Sequence, residues 1–123
     1  MSDMGPLATF FGGLDEGLTT AEGRRALLDR LSDDFQWEIS LPHGTKDGDK
    51  SAFAGFLEAR ASDSGKAATG HKVMMSTRDG DREVLLGHLE SPDAPPSPFV
   101  AAATIDGTGL ISRLMQRRSL IDI

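Results

Sequence analysis

The sequence predicts an α+β domain in which three helices cover the concave side of a strongly bent, mostly antiparallel sheet. Large apolar residues recur at helical spacing near the amino terminus. Between Leu27 and Gly44 the repeat changes within a few residues from helical to alternating, so a helix hands directly to a strand. The second half of the chain is made of alternating segments joined by Asp-Gly turns.

Leu7, Phe10, Phe11, Leu14 and Leu18 stand at i, i+3, i+4, i+7 and i+11, which places them on one side of a first helix. Gly12, Gly13 and Gly17 weaken that helix by about 1 kcal/mol each against alanine, so tertiary contacts have to hold it, and they permit close approach to a neighbour. Thr19-Thr20-Ala21-Glu22 fits a capping box, starting a second helix near Thr20 that ends near Leu31. Ser32-Asp33-Asp34 turns into a first strand, Phe35 to Leu41, where Phe35, Trp37 and Ile39 alternate with polar residues. The chain leaves through Leu41-Pro42-His43-Gly44 and a polar loop, Thr45 to Gly48. Asp49 then caps a third helix with Ala52, Phe53, Phe56 and Leu57 on one stripe, ended by Ser62 to Lys66.

The rest reads as strands. Thr69 to Arg78 and Arg82 to Glu90 flank Asp79-Gly80-Asp81, and Asp-Gly supplies the backbone angles a tight hairpin needs. Ser91 to Pro98 holds four prolines in eight residues and cannot donate a continuous ladder, so it reads as a long connection. Phe99 to Ile105 and Leu110 to Arg118 make a second hairpin around Asp106-Gly107-Thr108-Gly109.

At 123 residues the chain suits a single domain, 1–123, large enough to bury roughly 65% of its unfolded surface. A formal charge of -6 argues against a nucleic-acid partner, which needs clustered positive charge. Arg113, Arg117 and Arg118 are the basic cluster, and a charged strand end explains them. The absence of cysteine excludes disulfides, thiolate nucleophiles and cysteine-rich zinc sites. With neither a leader-like start nor a bilayer-length apolar run, the expected location is the cytoplasm, with no membrane partner. His43, His71 and His88 match no metal-ligand spacing, no phosphate-cradling loop is present, and no metal or other cofactor is expected.

His88 and Glu90 sit two apart on one strand, their roots about 7 Å apart on one face, so the carboxylate could orient the imidazole for proton transfer. That reading requires Val84 and Leu86 to mark the inward face; the other places His88 and Glu90 at the solvated rim. Trp37 points to the core or to a pocket, and Glu38 then faces away from it. His71 opens a strand and shares a face with Val73, Met75 and Thr77, as a pocket wall residue or a surface group.

The order of these elements, with the phrases LSDDFQWEI, DKSAFAGFLEA, RDGDREVLL and IDGTGLISRLMQ, resembles the nuclear transport factor 2-like superfamily from about Leu7 to Arg118, its SnoaL-like branch above all. The resemblance implies a cone-shaped α+β barrel around a deep, mostly apolar pocket, with relatives that include ketosteroid isomerases, limonene-epoxide hydrolases, polyketide cyclases, dehydratases and non-catalytic binders. It also places His43 at the pocket mouth. The position matching the isomerases' general base is Ile39, and the later acidic position of their oxyanion site matches Ala101. His88 and Glu90 match the arginine and first aspartate of the epoxide hydrolases, and Gln116 the closing aspartate.

Three functions stay open on this reading. One is an acid/base catalyst on a hydrophobic small molecule such as a terpenoid, polyketide or steroid-like compound. There His88 and Glu90 would move the proton, Gln116 would hydrogen-bond the substrate, and Trp37, Ile39, Leu86, Ala101 and Leu114 would form the wall. The second is a non-catalytic binder of an apolar ligand, favoured by the loss of family acid/base positions. The third is a homodimerisation module using the outer sheet face, with Ile111, Arg113, Met115 and Arg117 opposite Gln116.

Overall fold

The structure, a computed structural model, describes residues 5–41, 44–62, 70–91 and 94–119. In order they form α1 (Pro6–Gly17), α2 (Ala21–Leu28), β1 (Leu31–Leu41), β2 (Gly44–Asp49), α3 (Lys50–Ser62), β3 (Gly70–Asp79), β4 (Arg82–Ser91), β5 (Ala94–Ile105) and β6 (Ile111–Arg118). The strands make one open sheet in the order β2-β1-β6-β5-β4-β3. Among the described residues only β1 and β6 run parallel, and every other pairing is antiparallel. The helices pack on one side of it, α1 over β3, β4 and β5 and α3 over β1 and β2. This is the expected α+β arrangement, with one more strand than the sequence showed.

The apolar stripe of α1 is buried as its spacing requires, with Leu7, Phe10 and Phe11 at most 1% exposed. Pro6 starts the helix, where its missing N–H costs nothing. The helix is anchored at that end from the sheet: Glu83 on β4, 1% exposed, accepts the N–H groups of Leu7 and Ala8 at 2.8 and 2.9 Å. A carboxylate across two open amides at a helix start is favoured by charge and by hydrogen bonding together. Gly5 leaves room for that carboxylate, because a Cβ would lie 2.4 Å from Glu83 Oε1. Of the other glycines in α1, Gly17 is the one at a close approach: a Cβ there would lie 2.8 Å from Leu27 Cδ1, and Gly23 of α2 faces the Gly17 carbonyl. Gly12 and Gly13 are exposed.

Thr20 caps α2 through Gly23 N, and Asp49 caps α3 through Ala52 N. The second helix is shorter than its repeat suggests, ending at Leu28, and Leu31 already belongs to β1. Phe53 and Leu57 bury the inner stripe of α3, whereas Ala52 is exposed. Phe53 meets Phe35 and Trp37 with ring centroids 5.3 and 5.2 Å apart.

Two segments read as loops are strands. Gly44–Asp49 pairs antiparallel with β1 at the sheet edge, where side chains facing water leave no apolar alternation to read. β5 begins at Ala94, inside the proline-rich stretch. Its prolines fit because Phe99 pairs with Arg118 at the end of β6, so residues before it extend past that neighbour, while the pairing with β4 shifts between Leu89 and Ser91.

Bulges decide which side chains face the helices. In β3 an extra residue, Met74, lies between Val73, paired with Gly87, and Met75, paired with Leu86. His71 and Val73 therefore face inward, and Met75 and Thr77 do not share their side as expected. In β6 the shift around Ser112 turns Ile111 into the core at 0% exposure, which removes it from the outer face assigned to it. No helix among the described residues is long and apolar enough to cross a membrane.

Candidate functional site

Between α1, α3 and the inner face of the sheet lies a cavity of about 150 Å³. Phe10, Phe11, Leu14, Phe53, Leu57 and Leu89 give it apolar walls, and His71, Gln116, Arg60 and Arg118 are among the polar groups that interrupt them.

His71 is the chemically capable group. Its ring stands between Phe11 and Phe99, centroids 5.9 and 5.8 Å away, and its side chain is 6% exposed. Asp15 holds it twice: Oδ2 accepts the backbone N–H of His71 and Oδ1 meets ring Nδ1, both at 2.7 Å. The local sequence explains the meeting. Asp15 follows Phe11 by four residues, so both leave the same face of α1 and bracket the imidazole. The bulge at Met74 keeps His71 on the inner side with them while Met75 and Thr77 turn to the outer one.

Burial alone would raise the pKa of Asp15. The hydrogen bonds from the ring and amide of His71, with the charges of His71 and Arg60, outweigh it and hold the carboxyl below its ordinary value of 3.8. An ionised carboxylate can only accept, so Nδ1 carries the hydrogen in this pair and Nε2 is the ring nitrogen left to accept a proton. Gln116, 8% exposed on β6, brings an amide able to donate or accept to the same cavity.

The structure divides the residues singled out from the sequence. It brings Ile39, His71, Leu114 and Gln116 together around the cavity. Trp37 is on the inner face but packs on Phe53 and Phe56, donates to the carbonyl of Asp49 at 2.8 Å, and does not line the cavity. Ala101 is fully buried and does not reach it. His43 lies outside the described residues.

Leu86, His88 and Glu90 are a correction. Inward positions of β4 are Glu83, Leu85, Gly87 and Leu89, so those three side chains leave the opposite face and the proposed His88–Glu90 proton carrier is not at the cavity. Glu83 and Gly87 disguise the inner face of β4, since a carboxylate and a glycine look like outward residues. Glu83 is inside to hold α1, and Gly87 is inside because a Cβ there would lie 2.5 Å from Phe99 Cζ. Asp15 was missed; its signal was a carboxylate four residues after Phe11 on an apolar stripe.

A broader, open depression of about 950 Å³ runs beside Gln36, Glu38, Asp47, Arg82, Arg113 and Met115, and among the described residues no histidine lines it. Among the described residues no three His, Asp or Glu side chains converge as a metal site.

No family model matches the sequence, and no curated protein does. Solved structures do. A provisionally assigned isomerase of the SnoaL-like family from Agrobacterium tumefaciens matches with TM-score 0.71 at 14% identity, over 93% of this chain and 97% of its own. A nuclear transport factor 2-like protein of unknown function from Exiguobacterium matches with TM-score 0.67 at 16% identity, over 94% and 99%. A protein with a ketosteroid isomerase-like fold from Catenulispora acidiphila, solved with trimethylamine, matches with TM-score 0.65 at 16% identity, over 90% and 85%. At these identities the likeness is one of fold.

Proposed function

We propose that this chain, which has the nuclear transport factor 2-like fold, is an acid/base catalyst acting on a small, largely apolar molecule held in the cavity beneath α1 and α3. The observation that carries the reading is the Asp15–His71 pair, its imidazole buried and its carboxylate half-buried, with Nδ1 2.7 Å from the carboxylate and His71 in the cavity wall. Asp15 is a positioning residue: it fixes ring and tautomer and steadies the charge that His71 gains when Nε2 takes a proton. Gln116 is placed to hydrogen-bond the oxygen on which charge then develops. Such a site suits isomerase, cyclase or dehydratase chemistry, in which a proton leaves one atom and returns to another.

The cavity bounds the substrate. A cavity of about 150 Å³ lined by Leu, Ile and Phe takes a molecule the size of benzene, so a single ring or short chain fits this one and a four-ring steroid does not.

The test is deuterium uptake from heavy water at acidic C–H positions in a panel of monocyclic ketones and enones, followed by proton NMR. At least one compound should exchange faster with the protein. His71→Gln should lose that acceleration by about 10²-fold or more, the usual scale of a general base. Exchange unchanged by His71→Gln contradicts the reading. Ligand binding without exchange, equal in both proteins, supports a non-catalytic apolar-ligand binder instead.

A homodimer is a second reading, and it concerns the other face. Met75, Val84, Val100 and Met115, 64, 44, 40 and 38% exposed, stand on four adjacent strands outside the sheet. The pairings Met75–Leu86–Val100 and Val84–Ala102–Met115 make them one patch, the kind of surface that a second copy covers.

A further inference from the structure

The charges at the mouth of the cavity run against those of the chain. Asp and Glu outnumber Lys and Arg by 19 to 13 in the whole sequence, yet among the described residues the cavity is lined by Arg60, Arg118 and no carboxylate. The nearby carboxylate, Asp15, is engaged by His71 at both oxygens. Among the described residues the ion pairs are Lys50–Asp33, His71–Asp15, Arg82–Asp81 and Arg117–Glu38, so neither cavity arginine has a carboxylate partner.

The two arginines reach the cavity from different elements. Arg60 belongs to the last turn of α3, and its charge is felt at Asp15. Arg118 ends β6 and is steadied by a hydrogen bond from Nε to Ser97 Oγ at 3.3 Å, Ser97 being another lining residue. Both are exposed, so they stand at the rim while the aromatic walls lie deeper. Guanidinium groups that no carboxylate among the described residues engages, beside an apolar hollow, match a ligand with a planar oxyanion at one end and hydrocarbon at the other.

We infer that the cavity takes a small monocarboxylate, an apolar body of about one ring whose carboxylate lies at Arg60 and Arg118. This rests on the reading of the same cavity as the working site and names its substrate class. The body enters toward Phe10, Phe53 and Leu57, and the carboxylate replaces the water around the two guanidinium groups. The rim then selects anions from neutral molecules of equal shape.

The experiment compares benzoate with benzamide, its neutral counterpart of nearly equal size, by NMR titration of the full chain at low ionic strength. Benzoate should bind at least about tenfold tighter, a preference on the order of 1.4 kcal/mol, and added salt should shrink it. Arg60→Gln with Arg118→Gln should reduce the preference to about twofold, with an unchanged urea midpoint, since both side chains are exposed and their loss leaves the core intact. Equal or tighter binding of benzamide overturns the inference while leaving the Asp15–His71 reading in place. A preference that survives in the double variant overturns it as well. Binding of neither probe overturns both the inference and the reading of the cavity as a ligand site.

Discussion

Replacing Asp15 by asparagine removes one charge from the pair with His71 and leaves its shape. The carboxylate accepts two hydrogen bonds at 2.7 Å, one from the amide and one from the ring of the same residue. An asparagine oxygen can keep one of them, but its NH₂ group then faces Nδ1 and demands an acceptor there, which moves the ring hydrogen to Nε2. A hydrogen bond to a charged group contributes about 1.5–3 kcal/mol. The side chain of Asp15 is 40% exposed, so solvent screening reduces the expected loss to about 1–2 kcal/mol. Urea unfolding of both proteins measures it.

The pH dependence has a definite sign. The folded carboxyl of Asp15 is held below its ordinary 3.8, so across that interval the unfolded chain binds the proton more readily. Its stabilisation is therefore complete above the unfolded value and disappears as pH falls through the folded one. The gap between wild type and Asp15→Asn should be widest near neutrality and narrow below about pH 4. An unchanged midpoint at neutral pH, or a gap that widens in acid, refutes the reasoning about this pair.

Three further outcomes follow from the same geometry. Glu83→Ala leaves two buried amides at the start of α1 without their acceptor and should cost about 3 kcal/mol in urea unfolding, with Glu83→Gln in between. Gly87→Ala drives a methyl toward Phe99 and Lys72 O, 2.5 and 2.8 Å away; it should destabilise by about 1–3 kcal/mol and, because Phe99 packs on His71, weaken ligand binding as well. Val100→Glu places a charge in the exposed apolar patch and should shift a dimer to monomer in light scattering, whereas a wild-type protein that is already monomeric at working concentration removes the dimer.

The order of helices and strands was legible because the stripes of α1 and α3 and the hairpin turns state their periods plainly. Gly80 takes a φ of 63° at the first of these turns, as its Asp-Gly reading demanded. Facing was harder to read. Alternation fixes a strand only up to a shift of one residue, and β3 and β6 each contain an extra residue that reverses it. In β4, Val84 and Leu86 alternate as well as Leu85 and Leu89, and the residues that break the tie do so through distant contacts. Glu83 meets α1 and Gly87 meets the ring of Phe99. His71 was visible as a candidate for the pocket wall, but Asp15 lies 56 residues away in sequence, and nothing local announces their pairing.

The claim that matters most is that Asp15 fixes the hydrogen of His71 on Nδ1 and leaves Nε2 to work in the cavity. Long-range proton–nitrogen correlation spectra of the imidazole, recorded with and without a cavity-sized ring compound, read this directly. The expected spectrum shows a protonated Nδ1, an unprotonated Nε2 in the neutral ring, and a shift at Nε2 when the cavity fills. A hydrogen on Nε2, or a ring that does not respond to any ligand occupying the cavity, contradicts it.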